Sequence, residues 1–208
     1  KLPALGKGFF CHPQWMVFAL FDEPVDAHKG AFQAIKSDDP RFRAQGFKLE
    51  NVFAPPIGVA MLLPGFGKSH HELMKKYRFM GCIEVSVRDT SPGELRLDRS
   101  GRLLVHKKLS AEEQQRRQAG LAVIEEIFRA VGARQIIVPS LGLGLHLMGG
   151  CAIGADPKSS VINERFQLHG FPNIFVADSS IFPAAPGINP ALTIMALSHR
   201  ASQAILGA

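Results

Sequence analysis

The segment GLHLMGGCAIG, residues 144 to 154, places His146 among apolar residues and just before two glycines. The apolar neighbours predict a buried β-strand, and the Gly149-Gly150 pair predicts a close approach to the backbone. A histidine in this setting is either part of a core or a group that handles a proton, because imidazole has one donor and one acceptor nitrogen when neutral. His146 is therefore the first candidate for chemistry.

The start of the last helix is a second candidate region. Asn189 stands directly before Pro190, which predicts asparagine as the N-cap and proline as the first helical residue. The unpaired amides and the positive dipole end at such a start stabilise negative charge. Asp178 follows an apolar strand predicted from Asn173 to Ala177. There it is either a ligand-contacting residue at a strand end or the cap of a turn.

The elements that carry these residues predict an α+β fold with an antiparallel or mixed sheet and flanking helices. The aromatic and β-branched run of residues 9–24 predicts one long, largely buried strand. The segments GELRLD and RLLVHKK, joined through residues 99–101, predict a hairpin with alternating faces. A further strand is predicted at RQIIVPS, residues 134–140.

Two further helices are predicted from capping boxes, Ser69 with Glu72 and Ser110 with Glu113. The second helix has an apolar stripe at helical spacing and closes at Gly132. The stripe consists of Leu121, Ile124, Phe128 and Val131.

Composition excludes several classes of protein. The 24 basic and 18 acidic residues give a net charge of +6, but the basic residues are scattered and lack interleaved aromatics, so nucleic-acid binding is not predicted. No apolar run is long enough for a membrane span. The three distant cysteines, Cys11, Cys82 and Cys151, predict neither a disulfide framework nor a zinc site, and they favour a reducing, cytoplasmic compartment. No metal site is expected at His70, His71 and Cys82, because they lack ligand spacing.

The remaining chemistry-bearing residues predict structural roles. Cys151 is expected to be a buried thiol and not a reactive thiolate, because its setting is apolar. The other histidines are expected on the surface, in turns or in helices. They are His12, His106, His169 and His199.

The last sixty-five residues resemble the C-terminal portion of the glucose-methanol-choline (GMC) family of FAD-dependent oxidoreductases. The resemblance is carried by HLMGGCAIGADPKSSVI and by LHGFPNIFVADSSIFPAAPGINPALTIMALSHRA. Upstream, LGKGFFCHP and the hairpin-plus-helix region match the family more loosely. The family's Gly-x-Gly-x-x-Gly fingerprint is absent here, since Leu147 stands where a third glycine would follow Gly142 and Gly144.

The resemblance implies roles for particular residues. His146 matches the active-site histidine that faces the flavin, and Asn189 matches its polar partner, as in the cholesterol-oxidase-like branch. Asp178 and Ser179 match residues near the ribityl and phosphate part of FAD. The backbone of Pro190 and Ala191 matches the contact with the pyrimidine carbonyl of the flavin.

The resemblance also implies a domain organisation and a function. Residues 1–165 are expected to form the substrate-binding domain, and residues 166–208 the C-terminal strand-loop-helix of a discontinuous FAD-binding domain whose N-terminal part lies in another segment or chain. The implied function is oxidation of the CH–OH group of an alcohol, sugar or sterol-like small molecule, by proton abstraction and hydride transfer to flavin. A non-catalytic substrate-binding or interaction module without flavin is the alternative.

Overall fold

A computed structural model describes residues 2–37 and 39–207 of the chain. The strands are β1 (Lys7–Leu20), β2 (Phe47–Asn51), β3 (Met80–Val87), β4 (Gly93–Leu97), β5 (Leu103–His106), β6 (Gln135–Ile137), β7 (Leu143–Met148), β8 (Gln167–Leu168) and β9 (Phe171–Phe175). The α-helices are α1 (Pro40–Ala44), α2 (Pro56–Leu62), α3 (Gly67–Met74), α4 (Ala111–Ala130) and α5 (Ala191–Leu206). Two 3₁₀ turns lie at Tyr77–Phe79 and Ser179–Ile181.

These elements confirm the predicted α+β fold with an antiparallel sheet and flanking helices. The long first strand, the β4–β5 hairpin and the helix after Ser110 are all present. The last strand of the prediction lies two residues earlier than expected, as β9. No helix within the described ranges is long and apolar enough to cross a membrane.

The chain divides into two compact units. Unit 1 comprises Lys1–His12, Arg88–Ser110 and Gly144–Ala208, and unit 2 comprises Pro13–Val87 and Ala111–Leu143. The two units are defined by their internal contacts. The predicted boundary after residue 165 is of another kind, because it separates a substrate-binding domain from a segment of the flavin-binding domain. The assignment of those two roles therefore stays a prediction.

In unit 2, antiparallel pairing gives the strand order β2-β3-β1-β6, in which β1 contributes its second half. Helix α4 packs on β2 and β3 through Gly120, where a Cβ atom would lie 2.3 Å from the Val85 side chain. The stripe residues Leu121, Ile124 and Phe128 are buried, as predicted. Val131 lies beyond the end of the helix and is exposed.

The capping box predicted at Ser69 and Glu72 is wrong. Helix α3 begins at Gly67 with Phe66 at its cap position, so Ser69 lies inside the first turn and its hydroxyl donates to the Phe66 carbonyl. The helix ends at Met74. Ser and Glu at a spacing of three occur inside helices as well as at their starts, which makes the pattern ambiguous.

Three ionisable side chains are buried together on β2 and β3 of unit 2. Lys48 pairs with Glu50 at 2.8 Å, and Glu50 stands directly opposite Glu84 in the strand register. Burial, followed by a hydrogen bond with Glu50, raises the pKa of Glu84 to about 8. Glu84 therefore holds its proton at neutral pH, which leaves one negative and one positive charge in the cluster.

The core of unit 1 brings helix α5 against the segment that follows β7. The inner face of α5 presents Ile194, Leu197 and Ala201 to a cluster that includes Met148 and Phe166. Their spacing of three and four residues is that of one helix face. This packing fixes the end of β7, and with it the strand that carries His146.

Candidate active site

His146 lies near the end of β7, in a left-handed backbone conformation with φ of 49°. This conformation costs a non-glycine residue roughly 1–2 kcal/mol, so the surrounding structure must impose it. The prediction of a buried strand is wrong in part, because Leu145 and Leu147 are 37% and 57% exposed while Met148 is buried. His146 itself is partly exposed.

The imidazole of His146 is hydrogen-bonded to the imidazole of His12. Their Nδ1 atoms are 3.0 Å apart, and the rings meet edge to face with centroids separated by 5.1 Å. His12 lies on β1 and is only 1% exposed. The expectation that His12 is a surface, turn or helix residue is therefore wrong.

A sequence signal for His12 did exist. His12 is the one histidine in the run from Gly8 to Leu20, which predicts a buried strand. A buried polar side chain needs a hydrogen-bonding partner. The partner stands 134 positions away, and no local pattern in the sequence links the two.

The other ring nitrogen of His12 is held by the loop before helix α5. The backbone N–H of Gly187 donates to His12 Nε2 at 3.2 Å. Gly187 has φ of 74°, and a Cβ atom there would lie 2.5 Å from Arg88 Nε, so glycine allows the loop to pack closely. The loop, His12 and His146 thus form a hydrogen-bonded chain.

The two glycines after β7 permit the close packing that the sequence predicts. A Cβ atom on Gly149 would lie 1.9 Å from the Gly8 carbonyl oxygen, and Gly149 has φ of 81°. The Gly150 carbonyl accepts from the Gly6 amide at 2.8 Å. The end of the His146 strand is therefore held against the start of β1.

Asp178 and Ser179 lie at the start of a 3₁₀ turn that contacts β7, the strand that carries His146. The Asp178 carboxylate accepts from the Ser180 amide at 2.8 Å and caps the 3₁₀ turn, which is the capping alternative raised by the sequence. The Ser179 hydroxyl donates to the Leu147 carbonyl at 2.8 Å, and the Gly149 amide donates to the Ser179 carbonyl at 3.0 Å. These contacts lie one and three residues after His146, at Leu147 and Gly149.

Helix α5 starts one residue later than predicted. Pro190 is the cap residue with φ −89° and ψ 0°, and Ala191 is the first helical residue. Asn189 therefore precedes the cap in an exposed loop, and its predicted N-cap role is wrong. The ψ of Pro190 lies outside the helical range, which moves the boundary past it.

The start of α5 fits a group that gains negative charge. The first amides of a helix have no intrahelical acceptor, and a sixteen-residue helix adds the positive end of its dipole. Leu192, in the first turn, is 77% exposed. The pyrimidine carbonyl of a flavin has the chemistry that such donors bind.

The remaining candidates have structural surroundings. Cys151 is half-buried and not buried as expected, and desolvation raises the pKa of its thiol, which favours the thiol over the thiolate. His169 bonds to the Ser160 hydroxyl at 2.9 Å, while His106 and His199 are exposed on a strand and a helix. Among residues 2–37 and 39–207, no group of three His, Cys, Asp or Glu side chains is arranged to hold a metal ion.

All six residues singled out by the sequence lie in unit 1. They are His146, Asp178, Ser179, Asn189, Pro190 and Ala191. The family model described as GMC oxidoreductase matches residues 89–198, which include all of them. The chain belongs to the GMC oxidoreductase family.

Individual GMC relatives match the chain over different lengths. An uncharacterised GMC-type oxidoreductase of Sinorhizobium fredii is 29% identical over 97% of this chain and 45% of its own length. A cholesterol oxidase of Acinetobacter baumannii is 43% identical over 56 residues, which is 27% of this chain and 10% of that protein.

A solved GMC-like structure shares the fold. The crystal structure of pyridoxine 4-oxidase from Mesorbium loti superposes with a TM-score of 0.75 at 15% identity and covers 100% of this chain and 45% of that one. The chain thus spans less than half the length of these relatives.

Proposed function

We propose that the protein containing this chain is an FAD-dependent oxidoreductase that oxidises the CH–OH group of an alcohol, sugar or sterol-like substrate. The observation that carries the proposal is the family match over residues 89–198, which contains His146 together with the helix start at Ala191. The cholesterol oxidase relative supports a sterol-like alcohol as one of the candidate substrates.

The chemistry divides between the cofactor and the residues of this chain. When bound, FAD accepts the hydride that leaves the carbinol carbon. His146 binds the substrate hydroxyl, as a base or as a hydrogen-bonding group. Asn189 cannot titrate, so its part is to orient the hydroxyl by hydrogen bonds.

The residues around the helix start serve the flavin. The backbone N–H groups from Ala191 onward, which follow Pro190, are proposed to stabilise negative charge on a pyrimidine carbonyl. Asp178 and Ser179 are proposed to lie near the ribityl and phosphate part of FAD, and the Ser179 hydroxyl also binds the strand that carries His146 at the Leu147 carbonyl. In this proposal, residues 1–165 bind substrate and residues 166–208 complete the flavin domain.

The outer face of α5 supports a partner segment. Leu192, Met195 and Leu206 are 77%, 61% and 82% exposed, which is a large apolar exposure for one helix. A flavin-binding segment N-terminal to this chain, or on a second chain, is the occupant that the family organisation implies.

The test is made on the full-length protein. It should be purified and examined for the visible absorption of a flavin, then mixed without oxygen with a primary alcohol, a sugar and a sterol in turn. We expect bound flavin and its bleaching by one of the three classes. A full-length protein that binds no flavin would contradict the proposal and favour the non-catalytic binding module.

A further inference from the structure

The hydrogen bond from Gly187 fixes where His12 carries its proton. A peptide N–H can only donate, so His12 Nε2, 3.2 Å from the Gly187 nitrogen, is an acceptor and carries no hydrogen. A neutral imidazole has one N–H. The hydrogen of His12 is therefore on Nδ1.

The hydrogen on His12 Nδ1 in turn determines which nitrogen of His146 carries a hydrogen. His12 Nδ1 faces His146 Nδ1 at 3.0 Å, and a hydrogen bond between them needs one donor and one acceptor. Since His12 supplies the hydrogen, His146 Nδ1 accepts it. A neutral His146 then carries its own hydrogen on Nε2.

The opposite arrangement is disfavoured by the loop. If His146 carried its hydrogen on Nδ1, His12 would have to accept there and place its hydrogen on Nε2, against the N–H of Gly187. The N–H of Gly187 and the Nε2–H of His12 would then point at each other, and His12, which is only 1% exposed, could not turn to water for an acceptor. The backbone amide thus selects one arrangement of the pair.

We propose that His12 is a positioning residue that holds His146 as the Nε2–H tautomer through the chain Gly187 N–H, His12, His146. The neutral His146 therefore offers a hydrogen-bond donor at Nε2 and not a lone pair. What this tautomer does to the substrate rests on the proposed function. Of the two roles given there for His146, base and hydrogen-bonding group, it favours the second. His146 would then bind the hydroxyl oxygen as a donor, and the hydroxyl proton would pass to solvent water at this partly exposed residue as the hydride leaves the carbon.

The test is a measurement of protonation that does not depend on catalysis. In full-length protein labelled with ¹⁵N-histidine, long-range ¹H–¹⁵N spectra distinguish protonated from unprotonated ring nitrogens. His146→Gln and His12→Gln serve to assign the two rings. We expect His146 protonated on Nε2 and His12 protonated on Nδ1.

Variants separate positioning from mere packing. His12→Phe keeps an aromatic ring but no hydrogen bond, so His146 should lose its fixed tautomer and its Nδ1 signal should shift toward the protonated position. His12→Asn retains a donor near Nδ1 and should restore part of the Nε2–H population. His106→Phe, on an exposed strand residue, is the matched control and should leave the His146 signals unchanged.

Activity gives a second readout. Loss of one hydrogen bond predicts that flavin reduction in His12→Phe slows about three- to tenfold, with partial recovery in His12→Asn. A wild-type His146 protonated on Nδ1 overturns the proposal, whether or not any variant folds. An unchanged tautomer in a folded His12→Phe protein overturns it as well. Absence of flavin would remove the proposed function but leave the tautomer result standing.

Discussion

Gly149→Ala tests how firmly the His146 strand is held. The new Cβ would lie 1.9 Å from the Gly8 carbonyl oxygen, whereas ordinary contact begins at 3.4 Å, so one backbone segment must move by about 1.5 Å. The left-handed conformation, φ 81°, adds roughly 1–2 kcal/mol for alanine. Displacing packed backbone adds about 1–3 kcal/mol, which gives a total cost of about 2–5 kcal/mol.

Gly101→Ala is the matched control. Gly101 has the same φ of 81° but nothing within 4 Å of its Cβ position, so its cost is the backbone conformation alone, roughly 1–2 kcal/mol. The difference between the two variants isolates the clash with Gly8.

Hydrogen exchange of the full-length protein, read by mass spectrometry, measures both changes locally. Peptides covering residues 143–154 should exchange about a hundredfold faster or more in Gly149→Ala. Gly101→Ala should accelerate exchange by about five- to thirtyfold, in its own hairpin. Equal acceleration in the two variants would refute the close packing of β1 against the end of β7.

Two further predictions concern unit 2. Glu84→Gln should remove a loss of stability that the parent protein suffers as pH rises from about 4.5 to about 8. The unfolded Glu84 releases its proton near its ordinary pKa of 4.5, whereas the folded one releases it only near 8, so urea midpoints of parent and variant should diverge across that window. Parallel curves from pH 5 to 8 would contradict the buried proton. Gly120→Ala should lower the free energy of unfolding by about 1–3 kcal/mol, because its Cβ would lie 2.3 Å from the Val85 side chain. Equal urea midpoints for Gly120→Ala and the parent protein would exclude that close helix–sheet contact.

The sequence predicted the elements whose signals are local. The long apolar run of β1, the turn residues of the β4–β5 hairpin and the apolar stripe of α4 each determine their own structure within a few residues. The start of α5 was misplaced by one residue, because the spacing of Asn189 and Pro190 does not reveal the ψ of the proline.

What the sequence could not predict is the partner of His146. The bond to His12 joins residues 134 positions apart, and it depends on the pairing of strands and on the Gly187 loop together. Periodicity reports which face of an element is buried, but not which polar group meets it from elsewhere in the fold. The exposure of Leu145 and Leu147 was missed for the same reason, since an apolar strand has the same pattern whether or not another element covers it.

The most direct test of the proposed function is single-turnover flavin reduction in the full-length His146→Ala protein. With bound flavin retained, reduction by a good alcohol substrate should slow by about 10² or more, because the variant lacks the imidazole at the hydroxyl. His106→Ala, on the exposed end of β5, should reduce at the parent rate. An unchanged rate in His146→Ala would contradict the assignment of this imidazole to the reaction.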